Sequence, residues 1–304
     1  MRGVCSVKLH VFGARSLAGA AFADLAAQWA GGSGLQLYAR QQHGYAALDL
    51  AQAEGLALNP DEPALGLVSF APLWLFAPFL KRWLTRQPHA AGCLAAVVAC
   101  SSSSALTKRF ASNGSDRSLA ACLSQAEDDL LTTCRHYGIP CGILQPTLIY
   151  GQVGSQRDRN LSRLVGMMRR WPLVPVPSRT GLRQPIHAFQ LAAVALHLTQ
   201  RLAAAGSGAG LPERLAVGGD QALTYRAMLE GLQQALPAHH PARRCRLLPI
   251  PNRLFFLLSA PLLLGSPRAF EAVLRLAADL AGFTPSHELL GRPAEPFPRW
   301  PLAL

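Results

Sequence analysis

Near the start of the chain, Val11-Phe12-Gly13-Ala14-Arg15-Ser16-Leu17-Ala18-Gly19 carries the residue types that hold a pyrophosphate. Gly13 permits a tight turn after a β-rich run. The helix that follows offers free N–H groups and the positive end of its dipole to an anion. Gly19 lets helix and strand pack closely. Ser16 stands where a middle glycine would complete the dinucleotide fingerprint. A glycine pair also suits any tight strand–helix turn. Its place directly after the first strand favours dinucleotide binding through Gly13, Ala14, Arg15, Ser16, Leu17 and Gly19.

Two further positions bear on that ligand. The second strand ends at Tyr38-Ala39-Arg40. An acid at this point grips the ribose hydroxyls of NAD, whereas an arginine suits the 2′-phosphate of NADP. Arg40 therefore points to NADP as the preferred cofactor, with NAD as the alternative and a solvated surface arginine as the plain reading. Asp49, at the end of the third strand, could accept a hydrogen bond from the adenine amino group, or serve as a turn residue.

The elements that would position these residues alternate. Val7–Phe12, Leu35–Ala39, Tyr45–Leu48, Leu65–Ser69, Ala95–Cys100 and Cys141–Gln145 read as strands. Leu17–Ala30, Leu75–Thr85 and Arg117–Tyr137 read as helices between them. Short apolar strands separated by helices imply right-handed βαβ units, hence an α/β fold of Rossmann type, a doubly wound parallel sheet covered on both faces. After Tyr150 the rhythm changes. A polar loop 151–160 leads to a basic helix Leu161–Arg170 and a stretch 173–185 rich in Pro, Gly and Arg. A helix His187–Ala205 and a strand Leu215–Gly218 follow, and the remainder reads as helical and apolar. The expected organisation is a dinucleotide-binding domain over 1–150 and a smaller, mostly helical substrate region over 151–304. Part of 187–220 is expected to return to the first core.

The chain has 304 residues and a formal net charge of +12, with half its residues apolar and 15% charged. Nearly all the positive charge is arginine, and it is scattered. A nucleic-acid surface concentrates charge in one stripe with interleaved aromatics, so nucleic acid is not the expected partner. A phosphate-bearing small molecule needs fewer arginines and fits better. Seven cysteines show no CxxC pair and no metal-ligand spacing, so no metal site is expected. They read as reduced, buried cysteines of a cytoplasmic protein. Leu254–Gly265 is too short to span a bilayer, which takes ~20 residues, and Pro261 interrupts it. It reads as a core helix. Contact with a membrane surface is the alternative, because Arg243, Arg244, Arg246 and Arg253 flank it.

Over most of residues 7–230 the chain resembles the extended or atypical short-chain dehydrogenases/reductases, the NAD-dependent epimerase/dehydratase group. The resemblance rests on Gly13–Gly19, Ala71-Pro72 after the fourth strand and the serine run Ser101–Ser104 after the fifth. Gln145-Pro146-Thr147-Leu148-Ile149-Tyr150-Gly151, Gly181–His187, Gly218-Gly219 and Leu223-Thr224-Tyr225 continue it in order. It implies a nicotinamide dinucleotide, with Ala71 and Pro72 beside it. It implies a substrate of the nucleotide-sugar kind, or a similar hydroxyl or carbonyl compound, and is compatible with a homodimer. The serine that orients the substrate would be Ser103, with Ser102 or Ser104 as neighbours. Arg183 and His187 would hold the substrate's phosphate-bearing end.

In that group a Tyr acts as acid/base and a Lys four residues later lowers its pKa. A phenol of unperturbed pKa near ~10 is a poor base at neutral pH. No Tyr-x-x-x-Lys occurs in this chain, and the two positions fall on Leu119 and Leu123. Lys108 could supply a substitute cation near the serines, and Tyr150 a substitute phenol at the carboxyl edge of the sheet. The plain alternatives are an exposed lysine and a structural tyrosine. Two functions follow: an epimerase-, dehydratase- or reductase-like oxidoreductase, or a dinucleotide-binding sensor or scaffold without turnover.

Overall fold

The structure is a computed structural model that describes residues 8–30, 34–40, 44–52, 56, 65–205 and 210–299. Strands and helices alternate through β1 (Lys8–Phe12), α1 (Leu17–Ala30), β2 (Leu35–Ala39), β3 (Ala46–Ala47) and β4 (Leu65–Ser69). They continue through α2 (Leu73–Arg86), β5 (Leu94–Cys100), α3 (Ser104–Thr107), α4 (Gly114–His136) and β6 (Cys141–Pro146). Short strands β7 (Ile149–Tyr150), β8 (Gln152–Val153) and β9 (Gln156–Arg157) then lead to α5 (Asn160–Arg170), β10 (Leu173–Pro177) and β11 (Leu182–Arg183). Next come β12 (Ile186–His187), α6 (Ala188–Ala205), β13 (Arg214–Gly218), β14 (Leu223–Thr224), α7 (Tyr225–Ala235) and β15 (Arg246–Ile250). The chain closes with α8 (Asn252–Ser259), α9 (Leu262–Gly265), α10 (Pro267–Leu274), β16 (Thr284–Pro285) and α11 (Ser286–Leu290).

Eight strands form one parallel sheet in the order β16-β13-β6-β5-β4-β1-β2-β3. Strand alternation sends successive side chains to opposite faces. Leu9 and Val11 of β1, Val68 of β4, and Ala96 and Val98 of β5 pack under α1 and α6. Their neighbours Phe12, Leu67, Val97 and Ala99 pack under α2 and α4. The result is the Rossmann-type, doubly wound arrangement. Strand order reverses between β1 and β4, and the crevice beyond their carboxyl ends is where open sheets bind ligands.

A third core lies outside the sheet, where Tyr150, Leu161 and Val165 meet Val174, Val176, Met228 and Leu229. The segments α6, β13, β16 and α11 rejoin the main sheet or its cover. Two stretches differ from the sequence expectation. Residues 173–177 and 246–250 form a parallel pair, β10 with β15, because Val174 and Val176 alternate inward with strand spacing. The apolar run 254–265 is not a core helix. It is two short helices broken at Pro261, and Leu254, Leu257 and Leu258 are 47%, 70% and 64% exposed. Phe255 alone anchors α8 inward, and a run apolar on all sides leaves leucines to face water. Of the six described cysteines, none forms a disulfide, and Cys122 is exposed rather than buried. Among the described residues no helix is long and apolar enough to cross a membrane.

Candidate dinucleotide and substrate site

The turn from β1 into α1 is built around Gly13, whose φ is +70°. A Cβ there would lie 2.5 Å from the Ala71 nitrogen, so backbone from the β4 end occupies the space a side chain would need. Ser16 ties the turn. Its Oγ donates to the Gly13 carbonyl at 2.8 Å and accepts from the Gly19 N–H at 3.0 Å. The hydroxyl therefore caps α1 at its start, a role that a glycine in its place could not fill. A Cβ at Gly19 would collide with the Gly13 carbonyl, so α1 can pack this closely only with glycine there.

A cleft of about 460 Å³ opens above this turn. Gly13, Arg15 and Ser16 form one wall, Arg40 and Asp49 another, and Ala71 and Pro72 a third, with Gln156 reaching over from β9. Phe12 and Tyr38 form its floor, stacked with centroids 5.1 Å apart, and the Tyr38 hydroxyl meets His10 Nδ1 at 2.8 Å. Arg40 is exposed at the tip of β2. Asp49 accepts the Ala51 N–H at 3.0 Å, so it forms a turn and lines the cleft as well.

A second cavity, of about 600 Å³, adjoins the first and shares Ser16, Phe70, Ala71 and Pro72 with it. Leu17, Ser101, Ser102 and Ser104 line it, as do Leu119 and Leu123 from α4. Two leucines thus occupy the wall where the resemblance expects phenol and ammonium. Arg157, Asp158 and Arg159 close the far side. Burial pushes the Asp158 carboxyl above the ordinary range, against the N–H groups of Leu161, Ser162 and Gly151 that favour its charge. Burial also pushes the Cys100 thiol up to about 12, which keeps it protonated at neutral pH.

Ser101 is held from behind. Its Oγ donates to Glu127 Oε1 at 2.5 Å. Gln145 Nε2 donates to both oxygens of the same carboxylate, at 3.0 and 2.8 Å. Arg214 Nε reaches Oε2 at 3.0 Å. Buried Glu127 is thereby fully engaged, and its charge is met from β13.

Most of the other residues that the sequence points to lie elsewhere. Ser103 lines neither cavity; its N–H donates to the Pro146 carbonyl at 2.9 Å and its carbonyl accepts from Thr107. Lys108 Nζ sits 2.7 Å from Asp116, which also takes Arg275 at 2.8 Å. Tyr150 is buried in the third core and accepts the Arg299 N–H at 2.9 Å. The Arg183 guanidinium donates to the carbonyls of Leu182, Ala278 and Arg275 and lies over the Tyr225 ring. His187 is fully buried, edge-on to Tyr150, with Nδ1 accepting the Phe189 N–H. Leu17 lines the second cavity and Ala14 is wholly buried in the turn. The sequence alone does not mark Arg157, Asp158 or Arg159 as site residues. A polar loop after the sixth strand was the only sign of them, because it is the fold of β8 onto β9 that brings them to the cavity.

No family model and no curated protein matches this sequence. Solved structures do match its fold. A UDP-N-acetylglucosamine 4-epimerase from Bacillus cereus is 12% identical with a TM-score of 0.60, covering 95% of this chain and 94% of its own. A UDP-glucose 4-epimerase from Thermotoga maritima, solved with UDP-glucose, is 11% identical with a TM-score of 0.62, covering 94% and 93%. A GDP-mannoheptose C4 reductase from Campylobacter jejuni with NADP bound is 14% identical with a TM-score of 0.57, covering 82% and 88%. The chain has the fold of the extended short-chain dehydrogenases/reductases, the NAD-dependent epimerase/dehydratase group.

Proposed function

We propose that the chain binds a nicotinamide dinucleotide in the first cleft and acts as an epimerase-, dehydratase- or reductase-like oxidoreductase on a nucleotide-sugar or similar hydroxyl- or carbonyl-bearing substrate in the second. The observation that carries this reading is the continuity of the two cavities through Ser16, Phe70, Ala71 and Pro72 at the sheet's switch point. The residues fit the cofactor. Gly13 lets the β4 backbone close against a tight turn, and the start of α1 supplies N–H groups toward a pyrophosphate above it. When bound, the dinucleotide would supply hydride chemistry. Arg40 and Arg15 supply positive charge where a 2′-phosphate would be read, which favours NADP. Ser102 and Ser104 would orient a substrate hydroxyl, and Arg157 and Arg159 would draw its phosphate. The solved structures of like fold, named for UDP- and GDP-sugars, support the substrate class. On this reading the protein works in the cytoplasm.

One observation favours a second reading, a dinucleotide sensor or scaffold without turnover. Leu119 and Leu123 leave α4 without a titratable group in the second cavity. Calorimetry with NADPH, NADP, NADH and NAD tests the cofactor. Micromolar binding of any of them supports the cleft assignment, and absence of binding by all four overturns both readings. Incubation of the loaded protein with UDP- and GDP-sugars and free carbonyl compounds then separates them. Cofactor turnover at 340 nm, or an epimerised product by NMR, supports the enzyme; tight binding with neither supports the sensor.

A further inference from the structure

Helix α8 turns its apolar stripe to water. Leu254, Leu257 and Leu258 follow the i, i+3, i+4 spacing that puts three side chains on one side of a helix. In a helix that covers a core this side faces inward; here Phe255 takes that place. Leu262, at the start of α9, is also 39% exposed. The neighbouring strand pair adds to it. Register places Leu173 opposite Arg246 and Pro175 opposite Leu248, all exposed, while Val174 and Val176 point into the third core. Trp171, at the end of α5, is also exposed.

The charge on the segments that carry these leucines has one sign. Arg169, Arg170, Arg244, Arg246 and Arg253 are exposed. Among the described residues none of the five enters an ion pair. The sequence holds no Asp or Glu anywhere in residues 159–212 or 231–270, the segments that build this region. Glu271 of α10, which packs against α8, is taken up by Arg275, so these segments carry no acidic side chain to balance their arginines.

We propose that α8 and the outer face of the β10–β15 pair dock onto a bilayer surface of anionic phospholipid. The leucines would enter the boundary between headgroups and acyl chains, and the arginines would meet lipid phosphates. An indole at that level is suited to the interface. With eight residues, α8 lies in the plane of the interface and does not cross it. A second copy of the chain fits less well, because a twofold contact through this face would bring arginines against arginines. Nucleic acid would satisfy the arginines and leave the leucines unburied.

The test is flotation of the full chain with phosphatidylcholine vesicles, with and without phosphatidylglycerol. Binding to the anionic vesicles alone, weakened by added salt, is the expected result. Leu257→Ser/Leu258→Ser should lower the partition more than about tenfold. Arg244→Gln, Arg246→Gln and Arg253→Gln should lower it about fivefold for each arginine removed. All these side chains are exposed, so circular dichroism and thermal melting should match the parent. Equal binding to neutral and anionic vesicles, no binding to either, or variants that bind like the parent would each overturn the proposal. A concentration-dependent dimer lost on Leu257→Ser/Leu258→Ser, with no vesicle binding, would overturn it in favour of a second copy.

Discussion

Glu127 in α4 and Arg214 in β13, 87 residues apart in sequence, meet with Nε 3.0 Å from Oε2 at the back of the second cavity. Glu127 is 2% exposed, and its carboxylate carries Ser101 on its other side. Removing one partner of a buried pair leaves the other charge desolvated, at a cost of about 3–5 kcal/mol when both are buried. The Arg214 side chain is 35% exposed, and Gln145 still donates twice to Glu127. Arg214→Ala should therefore cost roughly 2 kcal/mol, a lesser loss than for full burial. Urea titration gives the value; a change within the scatter of the midpoint would mean that Gln145 and Ser101 suffice.

The β1–α1 turn gives a sharper test of the proposed cofactor cleft. Gly13→Val puts a branched side chain where the Ala71 backbone already lies, and at a positive φ that such a residue resists. Dinucleotide affinity should vanish. Ser16→Ala keeps the backbone and loses only the two hydroxyl bonds of the turn, worth about 1 kcal/mol together with the cap. That variant should stay folded and bind dinucleotide several-fold more weakly by calorimetry.

On the proposed reading, Arg40 decides between cofactors. Arg40→Ala should weaken NADPH by about tenfold or more, the value of a charged hydrogen-bonding group at roughly 1.5–3 kcal/mol, and leave NADH nearly unchanged. Parallel titrations with the two nucleotides check it, and equal losses would remove Arg40 from the site.

Tyr150 separates a catalytic from a structural role. Burial pushes its hydroxyl up to about 12, and the Arg299 N–H opposes that only in part. Tyr150→Phe should cost about 1 kcal/mol of stability for the lost bond and leave dinucleotide binding as it was. Any turnover should show no inflection from this group between neutrality and pH 10. A loss of turnover with binding intact would restore Tyr150 as the acid/base.

Asp220 ties the C-terminal segment to the main sheet. It accepts from Ser286 Oγ at 2.5 Å, from the His287 and Glu295 N–H groups at 2.9 Å, and from Gln190. Burial works against its charge, yet the Ser286, Glu295 and His287 bonds outweigh it and hold the carboxyl below the ordinary aspartate range. A carboxyl lowered on folding adds stability that is present above its unfolded pKa, ~3.9. That stability fades as pH falls through this value toward the lower folded one. Limited proteolysis should thus find the 286–299 segment protected at pH 6 and still at pH 5, and increasingly cleavable only as the pH falls below ~3.9 toward the lower folded value. Asp220→Ala should make it cleavable at both.

How far the sequence reaches can be judged residue by residue. Local spacing determined the βαβ alternation, because apolar period and turn residues are written in adjacent positions: β1, α1, β2 and β4 lie within one or two residues of their expected ends. The Gly13–Gly19 turn was legible for the same reason, since a strand, a glycine and a helix start are neighbours in the chain. Arg40 and Asp49 reach the same cleft as Gly13 because strand ends at a switch point are gathered by the sheet order alone. Which serine faces the cavity was not legible. Ser101, Ser102, Ser103 and Ser104 are chemically alike, and only the backbone path into α3 turns Ser103 away. Nor could the chain's linear order show that Arg183 is occupied by carbonyls 92 and 95 residues further on, or that Tyr150 closes on Arg299. The exposed leucines of α8 show the same limit. An apolar run marks what avoids water, but whether a core is there to receive it depends on contacts distant in sequence, and these only the tertiary structure decides.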